Sequence, residues 1–260
     1  MNQPRPAPAI NHAPITHVKR IIAVASGKGG VGKSTVTVNL AHALTAMGKR
    51  VGILDADIYG PSIPLMLGLE THVKPEIIDN MMLPPMAHGI RAMSMALVIG
   101  DQAAVLRAPM ITKTLVQFLR LVKWGDGEHP LDVLLVDLPP GTGDVTISLA
   151  QNAAIDGMVL VTTPQQAAVI DADKCAVAFG KLGIPLLGVV ENMSALAGQP
   201  IFGSGGGAKL AAKYGAPLLG QLPLDPAIGI CADAGKNFIA ENSTSEATSI
   251  YKAIAKSVLG

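Results

Sequence analysis

Apolar runs of strand length alternate with longer segments of helical length along most of the chain. Short continuous apolar runs are typical of strands buried on both faces of a parallel sheet, and the longer segments have the length of crossover helices. The pattern therefore predicts an α/β fold, with a mostly parallel sheet and helices on both faces. The predicted strands are Ile21–Ser26, Val51–Asp55, Val133–Asp137, Gly157–Thr162, Leu186–Glu191 and Leu218–Gln221. The predicted helices are Lys33–Met47, Pro109–Val122, Thr146–Gln151, Gln165–Leu182, Ala208–Tyr214 and Ser245–Val258.

Two segments depart from this alternation. Residues 1–19 hold four prolines and almost no apolar periodicity, so they are predicted to form a disordered tail in front of a single domain over residues 20–260. The stretch Pro75–Met110 holds six methionines. Flexible thioether side chains fill irregular gaps in a core and also line adaptable binding surfaces, so both interpretations stay open for this stretch.

The composition bears on how much of the protein is buried, on its partners and on its cellular compartment. Only 15% of the residues are charged, against about 25% in an average globular protein, which predicts extensive burial in the fold or against a partner subunit. The formal net charge of +1 provides no field that would attract nucleic acid or an anionic membrane, so neither is expected as a partner. Two widely spaced cysteines and the lack of a signal segment or a membrane-length apolar run favour a cytoplasmic protein.

A glycine-rich segment directly after the first predicted strand carries the clearest chemical signal. It matches the pattern G-x-x-x-x-G-K-[ST] between a strand and a helix, where backbone N–H groups and the helix N-terminus surround phosphates. Lys33 is expected to contact the β- and γ-phosphates of ATP, and Ser34 to bind Mg²⁺. The chain is therefore predicted to be a P-loop NTPase. The predicted nucleotide-binding residues of this loop are Gly27, Lys28, Gly29, Gly30, Val31, Gly32, Lys33, Ser34 and Thr35.

A second lysine inside the loop, Lys28, narrows the class. It resembles the signature lysine of the deviant Walker A proteins, which include MinD, ParA, nitrogenase reductase and the Mrp (ApbC) family. The resemblance implies a homodimer with nucleotide at its interface, where this lysine reaches the nucleotide of the second copy and stabilises the charge of phosphoryl transfer. The alternative for Lys28 alone is an exposed loop lysine.

Two aspartates at predicted strand ends are candidates for the metal side of the reaction. Asp137 ends an apolar strand and leads into DLPPGTGD, which resembles a Walker B aspartate followed by a switch II turn. Asp137 is then expected to bind Mg²⁺ through water, and the N–H of Gly141 to sense the γ-phosphate. Asp144 is predicted to cap the next helix.

The segment DADIYGPSIP after the second strand resembles switch I of the same class. By that resemblance Asp57 positions or activates the attacking water, and Asp55 supports the metal. The alternative is that both are ordinary turn aspartates. Asn192 ends another predicted strand, and matching asparagines in the class contact the adenine edge, while an asparagine seen alone would be a turn residue. The later segment Gly220–Asp225 has a weaker claim to base contact.

Four stretches in the same order point to one family. They are DADIYGPSIPLML, DLPPGTGD, ENMS and IFGSGGG, and together they resemble the Mrp (ApbC) iron–sulfur cluster carrier ATPases. The resemblance implies ATP hydrolysis in iron–sulfur cluster assembly or transfer, with scaffold or client proteins as partners. That family usually has a C-x-x-C pair for a [4Fe–4S] cluster between ENMS and IFG. Here the segment is ALAGQP, so no iron ligand is identified and direct cluster carriage is in doubt.

A second functional hypothesis is an ATP-driven dimer switch like MinD or ParA, which binds a membrane, DNA or a protein partner. Such a switch needs a basic surface or an amphipathic tail. The C-terminal segment carries Ile250, Ile254 and Val258 at helical spacing, and we expect this stripe to dock on the domain itself.

Overall fold

The computed structural model describes residues 14–58, 60–70, 75–99 and 108–260, without the side chains of residues 99, 108 and 109. Its strands are β1 (Ile21–Ser26), β2 (Val51–Asp55), β3 (Glu76–Ile78), β4 (Met81–Leu83), β5 (Met86–Ala87), β6 (Ile90–Ser94), β7 (Val133–Asp137), β8 (Gly157–Thr162), β9 (Leu186–Glu191) and β10 (Leu218–Gln221). Its helices are α1 (Lys33–Ala46), α2 (Ile63–Met66), α3 (Met95–Ile99), α4 (Ala108–Leu121), α5 (Asp144–Asn152), α6 (Gln166–Lys181), α7 (Gly206–Lys213), α8 (Pro226–Asp233), α9 (Phe238–Glu241) and α10 (Glu246–Leu259).

An eight-stranded sheet forms the centre of the fold, in the order β10-β9-β8-β1-β7-β2-β6-β5. Neighbouring strands are parallel except β5 and β6, which form an antiparallel hairpin at one edge. In the register of β2 and β7, Asp55 lies opposite Asp137, because both strands end on their aspartate. The predicted sheet is therefore confirmed, and its topology places two carboxylates side by side at the carboxyl edge.

The two faces of the sheet bury separate hydrophobic cores. Along β1, Ile21 and Ala23 face a core shared with α4, α5, α6 and α7. The alternate residues Ile22 and Val24 face a second core shared with α1 and α10. Because successive side chains of a strand point to opposite faces, a strand covered on both sides is continuously apolar, which is the pattern seen in the sequence. Helices on both faces are confirmed.

The predicted elements agree closely with the structure in the regular part of the chain. The six predicted strands are observed with the predicted bounds, and the six predicted helices are each displaced by no more than two residues at either end. The methionine-rich stretch and the region after β10 hold elements that were not predicted. These are α2, α3, α8, α9 and the strands β3 to β6.

The predicted tail reaches into the described residues. Residues 1–13 lie outside them, whereas Ile15 is buried in the core and Val18 pairs with Leu131. Lys19 forms an ion pair of 2.8 Å with Asp132. Contacts with the domain therefore begin ahead of the boundary predicted at residue 20, because Ile15 and Val18 supply apolar side chains to the core.

Some methionines of the methionine-rich stretch lie in the core and others are exposed, so the stretch fits both the gap-filling and the binding-surface interpretation. Met93 and Met95 are buried in the core that also holds α4 and α5. Met86 and Met110 each expose 57% of their surface. The gap-filling interpretation is confirmed for the first pair, and a partner surface stays a prediction for the second.

The C-terminal helix docks on the domain, as predicted. Ile254 and Val258 of α10 are buried against α1, and Ile250 packs at the margin of the same core. The Arg20 guanidinium donates to the carbonyl oxygens of Val258 and Leu259 at 2.6 and 3.0 Å, which satisfies orphan acceptors at the end of the helix. No helix within the described residues is both long enough and apolar enough to cross a membrane.

His42 gives this core a pH-dependent component. The imidazole on α1 is buried, contacts His88 edge-on at 5.4 Å, and has no hydrogen-bond partner for either ring nitrogen among the described residues. Burial first, and then the neighbouring His88, lowers the pKa of His42 from 6.5 to about 4. The fold thus favours the neutral ring, and this contribution to stability is complete above pH 6.5 and is lost as the pH falls towards 4.

We expect the free energy of unfolding to fall between pH 7 and pH 4 by roughly 3 kcal/mol more in the wild type than in His42→Leu, which has no ring to protonate. Urea titrations of both proteins at the two pH values measure this difference. An identical fall in the two proteins would contradict the assignment.

Candidate nucleotide-binding site

The glycine-rich loop connects β1 to α1 and is held by close backbone packing. Gly30 and Gly32 adopt left-handed φ angles of 77° and 82°, which glycine tolerates without strain. A Cβ at Gly27 would lie 2.0 Å from the carbonyl carbon of Asp171 in α6, so any side chain there would force the loop and the helix apart. Glycine spacing thus sets both the curvature of the loop and its contact with α6.

The carboxylate of Asp137 is the meeting point of the site. It is fully buried, and Oδ2 accepts hydrogen bonds from Lys33 Nζ and Ser34 Oγ, each at 2.6 Å. Oδ1 accepts from Thr37 Oγ1, also at 2.6 Å. The last residue of β7 is therefore joined to the first turns of α1, and the predicted contacts of Lys33, Ser34 and Asp137 with phosphate and Mg²⁺ stay predictions.

Two further aspartates follow β2 beside this group. Asp55 is buried, and its carboxylate accepts from Ser94 Oγ and from the Asp57 backbone N–H, both at 3.1 Å. Burial first, and then the charge of Asp137, raises the pKa of Asp55 to about 8, against the opposing effect of Lys33. Asp57 Oδ2 lies 3.9 Å from Lys33 Nζ at the edge of the cleft.

The donor set fits a magnesium ion that is bound mainly by phosphate and water. The described residues contain no group of three or more His, Cys, Asp or Glu side chains that could hold a metal ion. Mg²⁺ keeps several waters and usually takes one or two carboxylates plus substrate phosphates. Ser34 Oγ, with Asp137 and Asp55 behind it, offers oxygen ligands of that kind beside the loop.

A cleft of about 250 Å³ lies over the loop and connects these groups. Lys28 is partly buried at its wall and forms no ion pair with another described residue. Its carbonyl accepts from Ser26 Oγ at 3.1 Å, so the backbone of Lys28 is fixed while its ammonium group is not paired with a carboxylate. The lining residues are Ser26, Lys28, Gly29, Gly30, Val31, Gly32, Lys33, Ser34, Thr35, Asp57, Gly60, Ser62, Met66 and Pro140.

The segment after β7 lies against the loop. The N–H of Gly141 donates to the carbonyl oxygen of Ser26 at 2.8 Å, and Gly141 has a left-handed φ of 80°. In this conformation the N–H is engaged with backbone and does not face the cleft as a free donor. The prediction that Asp144 caps α5 is wrong. Gly143 occupies the cap position and Asp144 lies in the first turn, where a carboxylate still interacts favourably with the helix dipole.

A second cavity, of about 230 Å³, opens beside the loop on the side of β9 and β10. Asn192 lies between the two spaces, and its Nδ2 donates to the carbonyl oxygen of Val31 at 2.9 Å. A carbonyl oxygen only accepts, so the amide nitrogen must face it and Oδ1 remains as an acceptor. The lining residues are Gly32, Thr35, Asn192, Met193, Pro223, Leu224, Asp225, Pro226, Ile228, Gly229 and Tyr251.

Sequence reasoning missed two residues of the site. Thr37 follows Lys33 by four positions in the predicted helix, so its place on the same helix face was available as a signal. Ser94 ends β6, which lies in the methionine-rich stretch where no strand was predicted, so nothing in the sequence indicated its contact with Asp55. The structure brings the predicted loop residues, Asp55, Asp57 and Asp137 to one edge of the sheet.

Comparison with known proteins identifies the family. The family model described as NUBPL iron-transfer P-loop NTPase matches residues 17–259. The chain belongs to this family. An iron–sulfur cluster carrier protein of Escherichia coli is 49% identical over 255 residues, which cover 95% of this chain and 68% of that protein. An iron–sulfur protein required for NADH dehydrogenase, from mitochondria of Arabidopsis thaliana, is 43% identical over 251 residues, covering 93% and 78%.

Solved structures place this iron-transfer P-loop NTPase among nucleotide-binding proteins. A nucleotide-binding protein of Archaeoglobus fulgidus, in complex with ADP, has a TM-score of 0.74 at 37% identity and covers 85% of this chain and 88% of its own. The cell division ATPase MinD of Pyrococcus furiosus has a TM-score of 0.73 at 23% identity and covers 92% and 98%, a likeness of fold alone.

Proposed function

We propose that this iron-transfer P-loop NTPase binds and hydrolyses MgATP as a homodimer, and that the hydrolysis serves iron–sulfur cluster assembly or transfer. The observation that carries the proposal is the convergence of Lys33, Ser34 and Thr37 on the buried carboxylate of Asp137 at the mouth of a glycine loop. An ion pair between Lys33 and Asp137 that served only to stabilise the fold would need neither the glycine loop nor the second hydroxyl, that of Thr37. The names of the relatives support the pathway.

The residues divide the work of phosphoryl transfer by position. Backbone N–H groups of Gly29 to Lys33 surround the phosphates, and the Lys33 ammonium group exchanges its carboxylate partner for phosphate oxygens. Asp57, at the edge of the cleft, orients the attacking water and accepts its proton. Ser34, with Asp137 behind it, would hold Mg²⁺, which would supply positive charge against the phosphates.

Lys28 supports the homodimer. Within the described residues its ammonium group has no carboxylate partner, although it lines the same cleft as Asp57. We propose that in the dimer it contacts the nucleotide of the second copy, where added positive charge favours phosphoryl transfer. The low charged fraction of 15% is consistent with a surface that is partly buried in a subunit interface.

The alternative of a membrane-binding switch receives no support from the C-terminal helix. The apolar residues of α10 pack on α1 and are not available to a lipid surface. The likeness to MinD shows the fold alone.

Phosphate release and molecular mass test the proposal together. Purified protein with MgATP is expected to release phosphate, and light scattering is expected to show a dimer when ATP is present and hydrolysis is blocked by Asp57→Asn. A release rate no higher than that of Lys33→Met would refute ATP hydrolysis. A monomer under all nucleotide conditions would refute the homodimer.

Asn192 predicts a preference for adenine. Since Nδ2 is committed to Val31, the free Oδ1 accepts from the 6-amino group of adenine and would face the 6-oxo acceptor of guanine. Asn192→Ala should weaken ATP binding about tenfold and reduce discrimination against GTP. Calorimetry with both nucleotides measures this, and Asn152→Ala, whose amide donates within its own helix, is the matched control. An unchanged ratio of ATP to GTP affinity in Asn192→Ala would contradict the assignment.

A further inference from the structure

The relatives of this chain are named iron–sulfur cluster carriers, and its own side chains do not fit such a cluster. Iron in these clusters is held by cysteine thiolates, commonly four for one [4Fe–4S] cluster. The whole chain has two cysteines, Cys175 and Cys231. Two copies of the chain would therefore have to use every thiol to hold one cluster.

The two thiols are buried on opposite faces of the sheet. Cys175 in α6 has no exposed surface and belongs to the core shared with α4 and α5. Burial raises its pKa to about 12, so the thiol stays protonated at neutral pH and is a poor iron ligand. Cys231 in α8 is buried in the other core, beside the amide of Asn242. A single cluster cannot contact both sulfurs while the sheet lies between them.

The segment that stands where the Mrp family has its C-x-x-C is a tight hairpin without ligands. Leu196 and Gln199 exchange backbone hydrogen bonds of 2.9 Å in both directions. Between them, Ala197 and Gly198 have φ angles of 47° and 77°, as in a two-residue turn with both central residues left-handed. No charged residue, cysteine or histidine occurs from Asn192 to Ala208. This hairpin offers iron none of its usual cysteine or histidine ligands.

We infer that this chain holds no iron–sulfur cluster on its own side chains, and that a cluster handled during its ATPase cycle stays on thiolates of another protein. The first half follows from the positions of the thiols. The second half rests on the proposed function. The chain then supplies a nucleotide-dependent contact, and its partner supplies the ligands.

Anaerobic incubation with ferrous iron and sulfide tests the first half. The wild type, with and without MgATP, and the double variant Cys175→Ala/Cys231→Ala are desalted and assayed for iron, sulfide and thiolate-to-iron absorbance. The E. coli carrier, treated in parallel, is the positive control. We expect the same trace of iron on wild type and variant and no absorbance band. Two or more irons per wild-type chain with that band would overturn the inference, whether or not the variant retains them.

Transfer from a loaded donor tests the second half. The cluster-loaded E. coli carrier is mixed with this chain and MgATP, and the two proteins are then separated. We expect the iron to remain with the donor, and its appearance on this chain would overturn the inference. Calorimetry with MgATP on the same samples reports separately on the proposed function, since loss of nucleotide binding would refute that function and leave the ligand assignment standing.

A different observation concerns the buried carboxylate of Glu191, the last residue of β9. Its Oε2 accepts from the backbone N–H of Gly207 at 2.5 Å, and its Oε1 accepts from Gln221 Nε2 at 2.7 Å. One carboxylate therefore ties the first turn of α7 and the end of β10 to the strand that leads into Asn192. Gln221 in turn precedes the loop at Pro223 that lines the cavity beside Asn192.

The geometry points to Glu191 as a positioning residue for the base side of the nucleotide site. It is fully buried and does not line the cavity, so it acts through Asn192 and the loop after β10. Losing one of its two hydrogen bonds would loosen the wall against which the base packs, while Lys33 and Asp57 would keep their geometry. This assignment also rests on the proposed function.

The reciprocal exchange Glu191→Gln/Gln221→Glu provides the test. In Gln221→Glu the Oε1 of Glu191 loses its donor and meets a second carboxylate, so we expect the Kd for MgATP to rise about tenfold while kcat stays within about twofold. The exchange restores matched donors and acceptors and should return the Kd to within about threefold of wild type.

Asp156→Asn is the matched control, since Asp156 accepts from the Ile21 backbone N–H at the other end of the sheet. It should lower the melting temperature without changing the Kd. An unchanged Kd in Gln221→Glu, or no recovery in the exchange variant, would overturn the assignment. Absence of MgATP binding by the wild type would refute the proposed function instead.

Discussion

Replacing Lys33 with methionine is expected to weaken MgATP binding by at least about a hundredfold, since hydrogen bonds from a charged donor to two phosphates contribute roughly 3 kcal/mol or more together. The ammonium group lies 2.6 Å from Asp137 and 3.9 Å from Asp57. Without it, the triphosphate would meet those carboxylates with less compensating charge. Calorimetry with MgATP measures the change, and binding within tenfold of wild type would contradict the role of Lys33.

The same substitution leaves a buried carboxylate without its cation, which costs about 3 to 5 kcal/mol in comparable buried pairs. Lys33→Met is therefore expected to have a lower melting temperature, and this loss must be separated from the loss of binding. The double variant Lys33→Met/Asp137→Asn removes both charges and should recover most of the stability without recovering nucleotide affinity. Recovery of affinity in the double variant would show that Lys33 acts only on folding.

Asp57→Asn is expected to lower the turnover of ATP by at least about a hundredfold and to leave the Kd for MgATP within about threefold of wild type. The carboxylate at the edge of the cleft can accept a proton from water, and the amide of nearly the same shape cannot. Single-turnover phosphate release and calorimetry measure the two quantities separately.

Asp126→Asn, at an exposed carboxylate paired with His129, is the control for removing an acidic side chain elsewhere on the domain. It should leave turnover and binding unchanged. If Asp57→Asn hydrolyses ATP at the wild-type rate, Asp57 is a turn residue, which is the alternative that the sequence left open. The water would then be oriented by another group.

The central strands were predictable because they are buried on both faces, so that each appears in the sequence as a run of apolar residues with few polar positions. Residues such as Ile22 and Ile53 lie in continuously buried runs whose ends coincide with Ser26 and Asp55. The strand β6 escaped prediction because it contains Arg91 and lies in a stretch without helix-length partners. Short helices such as α9 have too few residues for a periodic signal.

Residues of the candidate site that belong to one continuous sequence motif could be predicted, and a residue that reaches the site from a distant part of the chain was missed. The loop from Gly27 to Thr35 is one continuous motif, so its residues could be named from their order. Ser94 contacts Asp55 from a strand that the sequence did not reveal, and only the sheet order brings them together. Asp144 was predicted to cap α5 but is the first residue of that helix, because the sequence pattern does not separate a cap from the first helical residue.

The Gly141 N–H donates to the Ser26 carbonyl oxygen at 2.8 Å, and we propose that this bond bears on how the chain distinguishes a triphosphate from a diphosphate. If the Gly141 N–H binds the γ-phosphate, it must first break its hydrogen bond to the neutral Ser26 carbonyl, which contributes about 1 kcal/mol. A hydrogen bond to an anionic phosphate oxygen contributes roughly 1.5 to 3 kcal/mol in its place. A diphosphate offers no such oxygen and leaves the closed arrangement favoured. On that proposal, one main-chain hydrogen bond would keep this segment in its closed arrangement with a diphosphate and would release it only when a triphosphate is bound.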